Sequence, residues 1–355
     1  MIENKDIIVS VVLPVYNGAK FLDESLASIL AQTESRFELL VVDDGSTDRS
    51  PDIVTRWMMQ DARIRLIRSP KKGVAAACNE GIRLAQGRYI ARMDADDIAL
   101  HDRFAKQVRY LERHENCVAV GGAYVEFFND GSRGRTQTWP ARWTYNLDDL
   151  FGPIGMPHPT AMIKIEALKS VGGYRGAFVS AQDVDLWLRL ASEGDIDNLN
   201  DVVLLYRRHS EQVSEHRAIE QSLCRGVAMA MSIARQIDSE PKWDADEPLS
   251  ALSVSKVAAN SSPEIAALLY AVLVEYYFKL GDAKSSRYYA NLSYLTFRGV
   301  VKLKIAQVLL RRWLVRSLSN GETGLPTKFI MAAPVAWTQS LGGYLFEKFR
   351  RRWSS

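Results

Sequence analysis

Ile90-Ala91-Arg92-Met93-Asp94-Ala95-Asp96-Asp97 carries an apolar strand end straight into three carboxylates within four residues. Like charges packed this closely cost folding free energy unless a cation or hydrogen-bond donors offset them. A hard divalent ion, Mn²⁺ or Mg²⁺, meets that need, because it takes oxygen ligands and leaves positions for phosphate oxygens. Asp also favours helix N-caps, so a solvated helix start is the competing reading of the triplet taken alone. What surrounds the triplet decides between them.

Upstream, Ile7 to Pro14 is a compact apolar run that ends in Pro14-Val15-Tyr16-Asn17-Gly18, a buried strand feeding a turn. Phe21 to Gln32 spaces its apolar residues as one helical face, and Phe37 to Val42 is a second buried strand ending at Asp43-Asp44-Gly45-Ser46-Thr47-Asp48. Ser50 to Asp61 reads as a helix with Pro51 in its first turn. Ile64 to Ile67, the small-residue helix Val74 to Ala85 and the strand Tyr89 to Met93 complete the series. Strands alternating with helices predict a parallel, right-handed α/β unit. Ligands of such sheets collect beyond the carboxyl ends of the strands. The Asn17-Gly18 turn and the Asp43–Asp48 and Asp94–Asp97 loops therefore converge on one edge.

Downstream, His101 to His114 reads as a helix and Val118 to Phe128 as a strand pair followed by Asn129-Asp130-Gly131. Residues 133–160, rich in Trp, Pro and Gly, read as an ordered loop that holds Trp139 and Trp143. Leu186 to Ala191 is helical, with Trp187 and Leu190 at core spacing, and Val202 to Tyr206 is a closing strand. From His216 the pattern is almost wholly helical, including a helix pair, Pro263 to Lys279 and Ala283 to Phe297. The expected division is a catalytic domain over 1–215 and a helical C-terminal domain over 216–355.

The bulk composition, 355 residues with 47% hydrophobic and 25% charged, is that of an ordinary globular protein. A net charge of +3 gives no general signature of nucleic-acid binding. Cys78, Cys117 and Cys224 are far apart and lack metal-site spacing, which fits buried thiols in a reducing cytosol. The N-terminus lacks an apolar signal core, and no uncharged run reaches the roughly 18 residues of a membrane span. Beyond Thr296, however, basic residues run from Arg298 to Arg352, opposed only by Glu322 and Glu347. Val300 to Leu318 and Phe346 to Trp353 mix cations with apolar side chains, a pattern suited to an anionic membrane surface. A solvated helix face packed on the catalytic domain is the alternative.

A nucleotide diphosphate needs partners for base and ribose and cations for its phosphates. Asp43 or Asp44 can accept from a base N–H, Asp94 or Asp96 from ribose hydroxyls, and a metal can meet the diphosphate. Neither G-x-G-x-x-G nor G-x-x-x-x-G-K-[ST] is present, which argues against Rossmann dehydrogenases and P-loop ATPases.

At these residues the chain resembles the family 2 glycosyltransferases, an inverting group with the GT-A (nucleotide-diphospho-sugar transferase) fold. The resemblance rests on Val9-Ser10-Val11-Val12-Leu13-Pro14-Val15-Tyr16-Asn17, Val41-Val42-Asp43-Asp44-Gly45-Ser46-Thr47-Asp48 and Asp94-Ala95-Asp96-Asp97. It continues through His158-Pro159-Thr160, Gly172-Gly173-Tyr174, Asp183-Val184-Asp185-Leu186-Trp187-Leu188-Arg189-Leu190 and Tyr206-Arg207-Arg208-His209, and covers roughly residues 7 to 215. It implies a mostly parallel α/β sheet, here followed by a helical extension, and a bacterial surface-polysaccharide role. It also implies a nucleotide site built from Pro14, Tyr16, Asn17, Asp43, Asp44 (on the base, usually uracil), Asn79 and Asp94 (near ribose). Asp96, Asp97 and His209 would hold Mn²⁺ or Mg²⁺. Asp183 would be the general base, and Arg92, Gln182, Arg207 and His158 are candidates for diphosphate or acceptor contact.

Two departures stand out. Gln182-Asp183 replaces the common Glu-Asp, which keeps the residue that acts as base. Cys78 precedes Asn79 where the family often has Arg, so Arg68, Lys71, Lys72 or Arg92 would supply the phosphate-facing cation. Cys78 itself reads as a small buried residue rather than a nucleophile.

The resemblance implies metal-dependent, inverting transfer from a nucleotide-sugar, expected to be UDP-linked, to a hydroxyl of a glycan or lipid-linked saccharide. That places the protein in the cytoplasm, with peripheral contact at the inner face of the membrane. Two alternatives are a catalytically silent nucleotide-sugar-binding subunit and transfer to polyprenyl phosphate.

Overall fold

The computed structural model describes residues 7–70, 72–144, 154–209, 217–236, 240–241, 243 and 247–297. The basic amphipathic segments expected beyond Thr296 and the candidate cation Lys71 lie outside the described residues.

β1 (Val9–Val15), β2 (Phe37–Asp43), β3 (Ile64–Arg68) and β4 (Tyr89–Arg92) alternate with α1 (Leu22–Leu30), α2 (Ser50–Met58) and α3 (Val74–Leu84). β1 pairs with β2 and β4, and β2 with β3, all in parallel. The aliphatic runs of β1 and β2 are buried almost throughout, as parallel strands covered on both faces must be.

After β4 the chain turns through Asp94–Asp97 into the two-residue β5 (Ile98–Ala99) and then α4 (Arg103–Arg113). β6 (Cys117–Phe128) and the antiparallel β9 (Met162–Lys164) extend the sheet, and β10 (Asp195–Arg208) runs parallel to β6. β5 pairs with Leu204 and Leu205 of β10. The order is β3-β2-β1-β4-β9-β6-β10-β5. The acidic loop is thus pinned at one end by mid-sheet β4 and at the other by β5.

The structure corrects the expectation of a strand pair over Val118–Phe128: β6 is one continuous strand. Gly121 and Gly122 make it possible, because a Cβ there would lie 2.5 Å from Asn198 Oδ1 and 2.8 Å from Val203 Cγ2 respectively. The stretch expected to be loop contains β7 (Arg133–Gln137) and β8 (Arg142–Trp143), antiparallel to β6 and β10.

Leu22, Leu26 and Ile29 of α1, Val54 of α2 and Phe104, Val108 and Leu111 of α4 form one core with the sheet. The other gathers Ile82 of α3, Leu168 of α5 (Ile165–Ser170) and Leu186, Trp187 and Leu190 of α6 (Gln182–Leu190). That second cluster continues into the helical region: Leu223 and Val227 of α7 (Ala218–Gln236), Val254 of α8 (Ala251–Ala259) and Leu269 and Leu273 of α9 (Pro263–Lys279). α10 (Ala283–Phe297) packs on α9. Polar ties reinforce the junction. Arg175 and Arg235 both donate to Glu240 Oε1, at 2.8 and 2.9 Å, and Leu249 N donates to Ala177 O at 2.9 Å. These helices share an apolar core with the sheet, and among the described residues no helix is long and apolar enough to cross a membrane.

The α3–β4 connection leaves no room for a side chain. A Cβ on Gly87 would lie 2.6 Å from Ser10 N and 2.8 Å from Val9 C, backbone atoms that cannot swing aside. Gly87→Ala is expected to cost roughly 1–3 kcal/mol, read as a lower denaturation midpoint at unchanged m-value. An unchanged midpoint would show that the β1–β4 junction relaxes.

Candidate active site

At the carboxyl end of β1, Asn17 takes a left-handed conformation (φ 52°), which Asn tolerates better than most residues. Its N donates to Ser46 Oγ at 3.0 Å, and its Oδ1 accepts from Thr47 N at 2.8 Å. The first and second loops are thereby laced together. Asp43 Oδ1 caps the turn by accepting from Ser46 N at 3.1 Å. Asp44 is buried, and its two oxygens accept from Lys72 N and Gly73 N, each at 2.9 Å, at the entry to α3. Each oxygen keeps a second lone pair for a ligand N–H. Pro14 is half-buried beside them and Tyr16 is 46% exposed.

Ligand oxygens of Asp94, Asp96 and Asp97 all lie within 4.8 Å of one another. Asp97 is 1% exposed; Arg207 N donates to its Oδ1 at 2.9 Å, while its Oδ2 is buried with no hydrogen-bond partner among the described residues. Burial, with Asp94 and Asp96 beside it, pushes the Asp97 carboxyl well above the usual carboxylate range. Asp96 Oδ2 meets His209 Nε2 at 2.9 Å, and His209 Nδ1 is likewise buried and unpartnered. Clustered carboxylates, an orphaned buried oxygen and a neighbouring imidazole form a donor set whose chemistry fits a divalent cation.

Arg207, a candidate for diphosphate contact, is used to hold this loop. Its Nε donates to Asp96 O at 2.8 Å, its Nη2 pairs with Glu24 Oε2 at 2.5 Å, and its guanidinium stacks over Phe21 and Phe127. Arg92 is also buried. Its Nη1 lies 2.5 Å from Asp94 Oδ1, an ion pair without hydrogen-bond geometry, and its Nε has no hydrogen-bond partner among the described residues. Arg92 is close enough to Cys78 to lower that thiol electrostatically, although burial dominates and pushes Cys78 up to about 11. A cation from β4 thus neighbours the position where the family often carries Arg, and Cys78 is a buried thiol whose raised pKa disfavours the thiolate.

Beneath this layer, Asn79 is committed to a backbone clip. Its Nδ2 donates to Tyr174 O at 2.7 Å and its Oδ1 accepts from Tyr174 N at 2.8 Å. Gly173 (φ 69°) permits the approach, since a Cβ there would sit 2.6 Å from Asn79 Oδ1. The Tyr174 hydroxyl meets His158 Nε2 at 2.7 Å, and both residues are buried. Burial, then the charge of Arg92, holds His158 well below its ordinary value and hence neutral.

Asp183 stands half-buried in the first turn of α6, next to Gln182. The preceding Ala181 is left-handed (φ 51°), costly for a residue with a Cβ; it and Asn17 are the non-glycine residues of positive φ among those described. Burial raises the Asp183 carboxyl; the N–H groups of Val184 and of Asp183 itself, then the charges of Arg92 and Arg225, pull it partly back. Asp185, two residues on, is fully buried and clamped by Arg189 Nε and Nη2 at 2.9 and 2.7 Å. Of the two acids, Asp183 is the one in reach of the site's cations and Asp185 is structural. Reading the sequence missed Tyr174 as a floor residue, although its Gly172-Gly173-Tyr174 motif was visible. Glu24, Arg103 and Arg225 carried no local signal.

The sequence profile of glycosyl transferase family 2 matches residues 10–172. EpsE of Bacillus subtilis (strain 168) is 36% identical over 193 residues, which span 52% of this chain and 67% of that one. The amylovoran biosynthesis glycosyltransferase AmsE of Erwinia amylovora is 31% identical over 214 residues, 59% of this chain and 79% of AmsE. Among solved structures, S. aureus TarS 1-349 in complex with UDP-GlcNAc superposes with a TM-score of 0.54 at 15% identity, covering 82% of this chain and 92% of that one. At that identity the likeness concerns the fold.

The two acids of α6 are expected to respond oppositely to neutralisation. Asp185→Asn strands buried Arg189 and should cost roughly 3–5 kcal/mol. Asp183 has a folded pKa raised by burial, so its charge opposes folding as pH rises through that value, and Asp183→Asn should leave stability at pH 7 unchanged or higher. Urea denaturation checks both; equal losses would contradict the division of roles.

Proposed function

The chain belongs to glycosyl transferase family 2, and from that premise we propose that it is a metal-dependent, inverting enzyme. It moves a sugar from a UDP-sugar to a hydroxyl of a growing surface glycan or lipid-linked saccharide. The observation that carries this reading is the layout of the site. A carboxylate cluster with an orphaned oxygen lies at the end of β4, beside Arg92, which is in electrostatic reach of an unclamped carboxylate, Asp183. UDP agrees with the UDP-GlcNAc held by TarS, and a surface glycan with the amylovoran role in the name of AmsE.

In this reading Asp44 accepts from the uracil N–H, with Pro14, Tyr16, Asn17 and Asp43 shaping the pocket, and Asp94 meets the ribose. A divalent ion held by Asp96, Asp97 and His209 would supply positive charge to the diphosphate. Arg92 adds a fixed cation. Asp183 takes the proton of the acceptor hydroxyl as that oxygen bonds to the anomeric carbon. The anomeric C–O bond breaks on the opposite face, its electron pair leaves with UDP, and the configuration inverts. One base suffices, since the leaving group needs charge stabilisation rather than an acid. Gln182, beside Asp183, and the neutral His158–Tyr174 pair, buried beneath the site, serve in this reading as positioning groups. Contact with the cytoplasmic face of a membrane, assigned to the tract beyond Thr296, belongs to the same proposal.

Release of UDP across a panel of UDP-sugars tests the assignment. Asp183→Asn is expected to lower turnover roughly 10²–10⁴-fold while leaving UDP binding with Mn²⁺ intact. Because Asp183 acts only when deprotonated and burial raises its pKa, wild-type turnover should fall with decreasing pH at values above the usual Asp range. Full transfer by Asp183→Asn would remove it as base. A profile without that limb would favour an already ionised acceptor such as polyprenyl phosphate.

A further inference from the structure

Arg103 opens α4 and is fully buried. Its Nη2 donates to Arg92 O at 2.8 Å and Ala161 O at 3.3 Å, its Nε donates to Gln107 Oε1 at 3.1 Å, and its Nη1 lies 3.4 Å from Met93 Sδ. Gln107 is itself fixed, donating to Val120 O at 3.0 Å and Thr160 O at 2.7 Å. The guanidinium is thus held against residues 92 and 93, directly behind the acidic loop. None of these partners is a carboxylate. Burial pulls Arg103 down to about 9, so it is ionised at neutral pH only at a cost, and a buried charge requires compensation. The carboxylates within its electrostatic reach are those of Asp97 and Asp94.

We propose that Arg103 is a built-in countercharge for the Asp94–Asp97 carboxylates, a positioning residue that holds the loop in its ligand-presenting shape before any cation arrives. Arg103 reaches the loop from α4, against Arg92 O and Met93 Sδ, and adds its charge there to that of Arg92, which pairs with Asp94. A purely structural bridge between the Arg92 and Ala161 carbonyls would need donors but no charge. The charge is the claim, and it has an unusual consequence. Removing Arg103 makes the empty loop less stable but more attractive to a metal ion.

The test compares Arg103→Gln, which keeps amide donors without the charge, with Arg103→Lys, which keeps the charge. In EDTA, Arg103→Gln should lower the melting temperature, and adding Asp97→Asn to it should recover much of the loss. Additive losses would overturn the proposal. In Mn²⁺ titrations followed by calorimetry, Arg103→Gln should bind roughly tenfold more tightly than wild type and Arg103→Lys within about twofold of it. Binding by Arg103→Gln no tighter than wild type would also overturn it. The metal arm rests on the loop being a metal site. If wild type binds no Mn²⁺, that reading fails by itself, and the EDTA cycle still decides the countercharge. Should Arg103→Gln not be recovered folded, the Arg103→Gln/Asp97→Asn pair decides: folded protein supports the countercharge and unfolded protein excludes it.

Discussion

Mutual repulsion among Asp94, Asp96 and Asp97 is the constraint on which the rest of this structure depends. Three carboxylate oxygens within 4.8 Å of one another, one belonging to a side chain only 1% exposed, would splay apart unless anchored. The anchoring is spread over distant segments. β4 and β5 fix the ends of the loop, Arg207 N and Nε hold Asp97 and the Asp96 carbonyl, Arg92 pairs with Asp94, and His209 meets Asp96. The residues that hold the loop from β10 lie more than a hundred positions downstream. The long parallel pairing of β6 with β10 makes that closure possible.

The same economy separates the catalytic candidate from its neighbour. Asp183 and Asp185 lie two residues apart on α6, yet one is neutralised by Arg189 while the other retains a raised pKa in a half-buried position. A base needs that combination: enough desolvation to raise its basicity, without a fixed partner that would absorb its charge. α7 packs on α6, and Arg225 from α7 joins Arg92 in the field at Asp183. The helical region therefore acts on the electrostatics of the site as well as on its packing.

The first four strands and three helices were legible in the sequence because each is an uninterrupted apolar run or a clean helical face, and their carboxyl-end loops marked one edge of the sheet. The helix pair Pro263–Lys279 and Ala283–Phe297 was equally clear. What failed to show was long-range. β6 reads as two strands because its Gly121-Gly122 pair resembles punctuation, and its continuity depends on the approach of Met156, Asn198 and Val203. Arg207 reads from its motif as a candidate for diphosphate or acceptor contact, whereas in the fold its guanidinium pairs with Glu24 on α1 and stacks over Phe21 at that helix's N-cap. Arg103 looks like any helix-start cation until α4 packs on β6 and its guanidinium reaches the Arg92 carbonyl. Charges whose partners lie far away in sequence leave no periodic trace.

The central claim is that the Asp94–Asp97 loop joins a divalent cation to a nucleoside diphosphate. Calorimetric titration of the full chain with UDP, in Mn²⁺ and again in EDTA, tests it most directly. The account predicts saturable binding with Mn²⁺ that is lost in EDTA and lost in Asp96→Ala. UDP binding of equal affinity in the two buffers would contradict it.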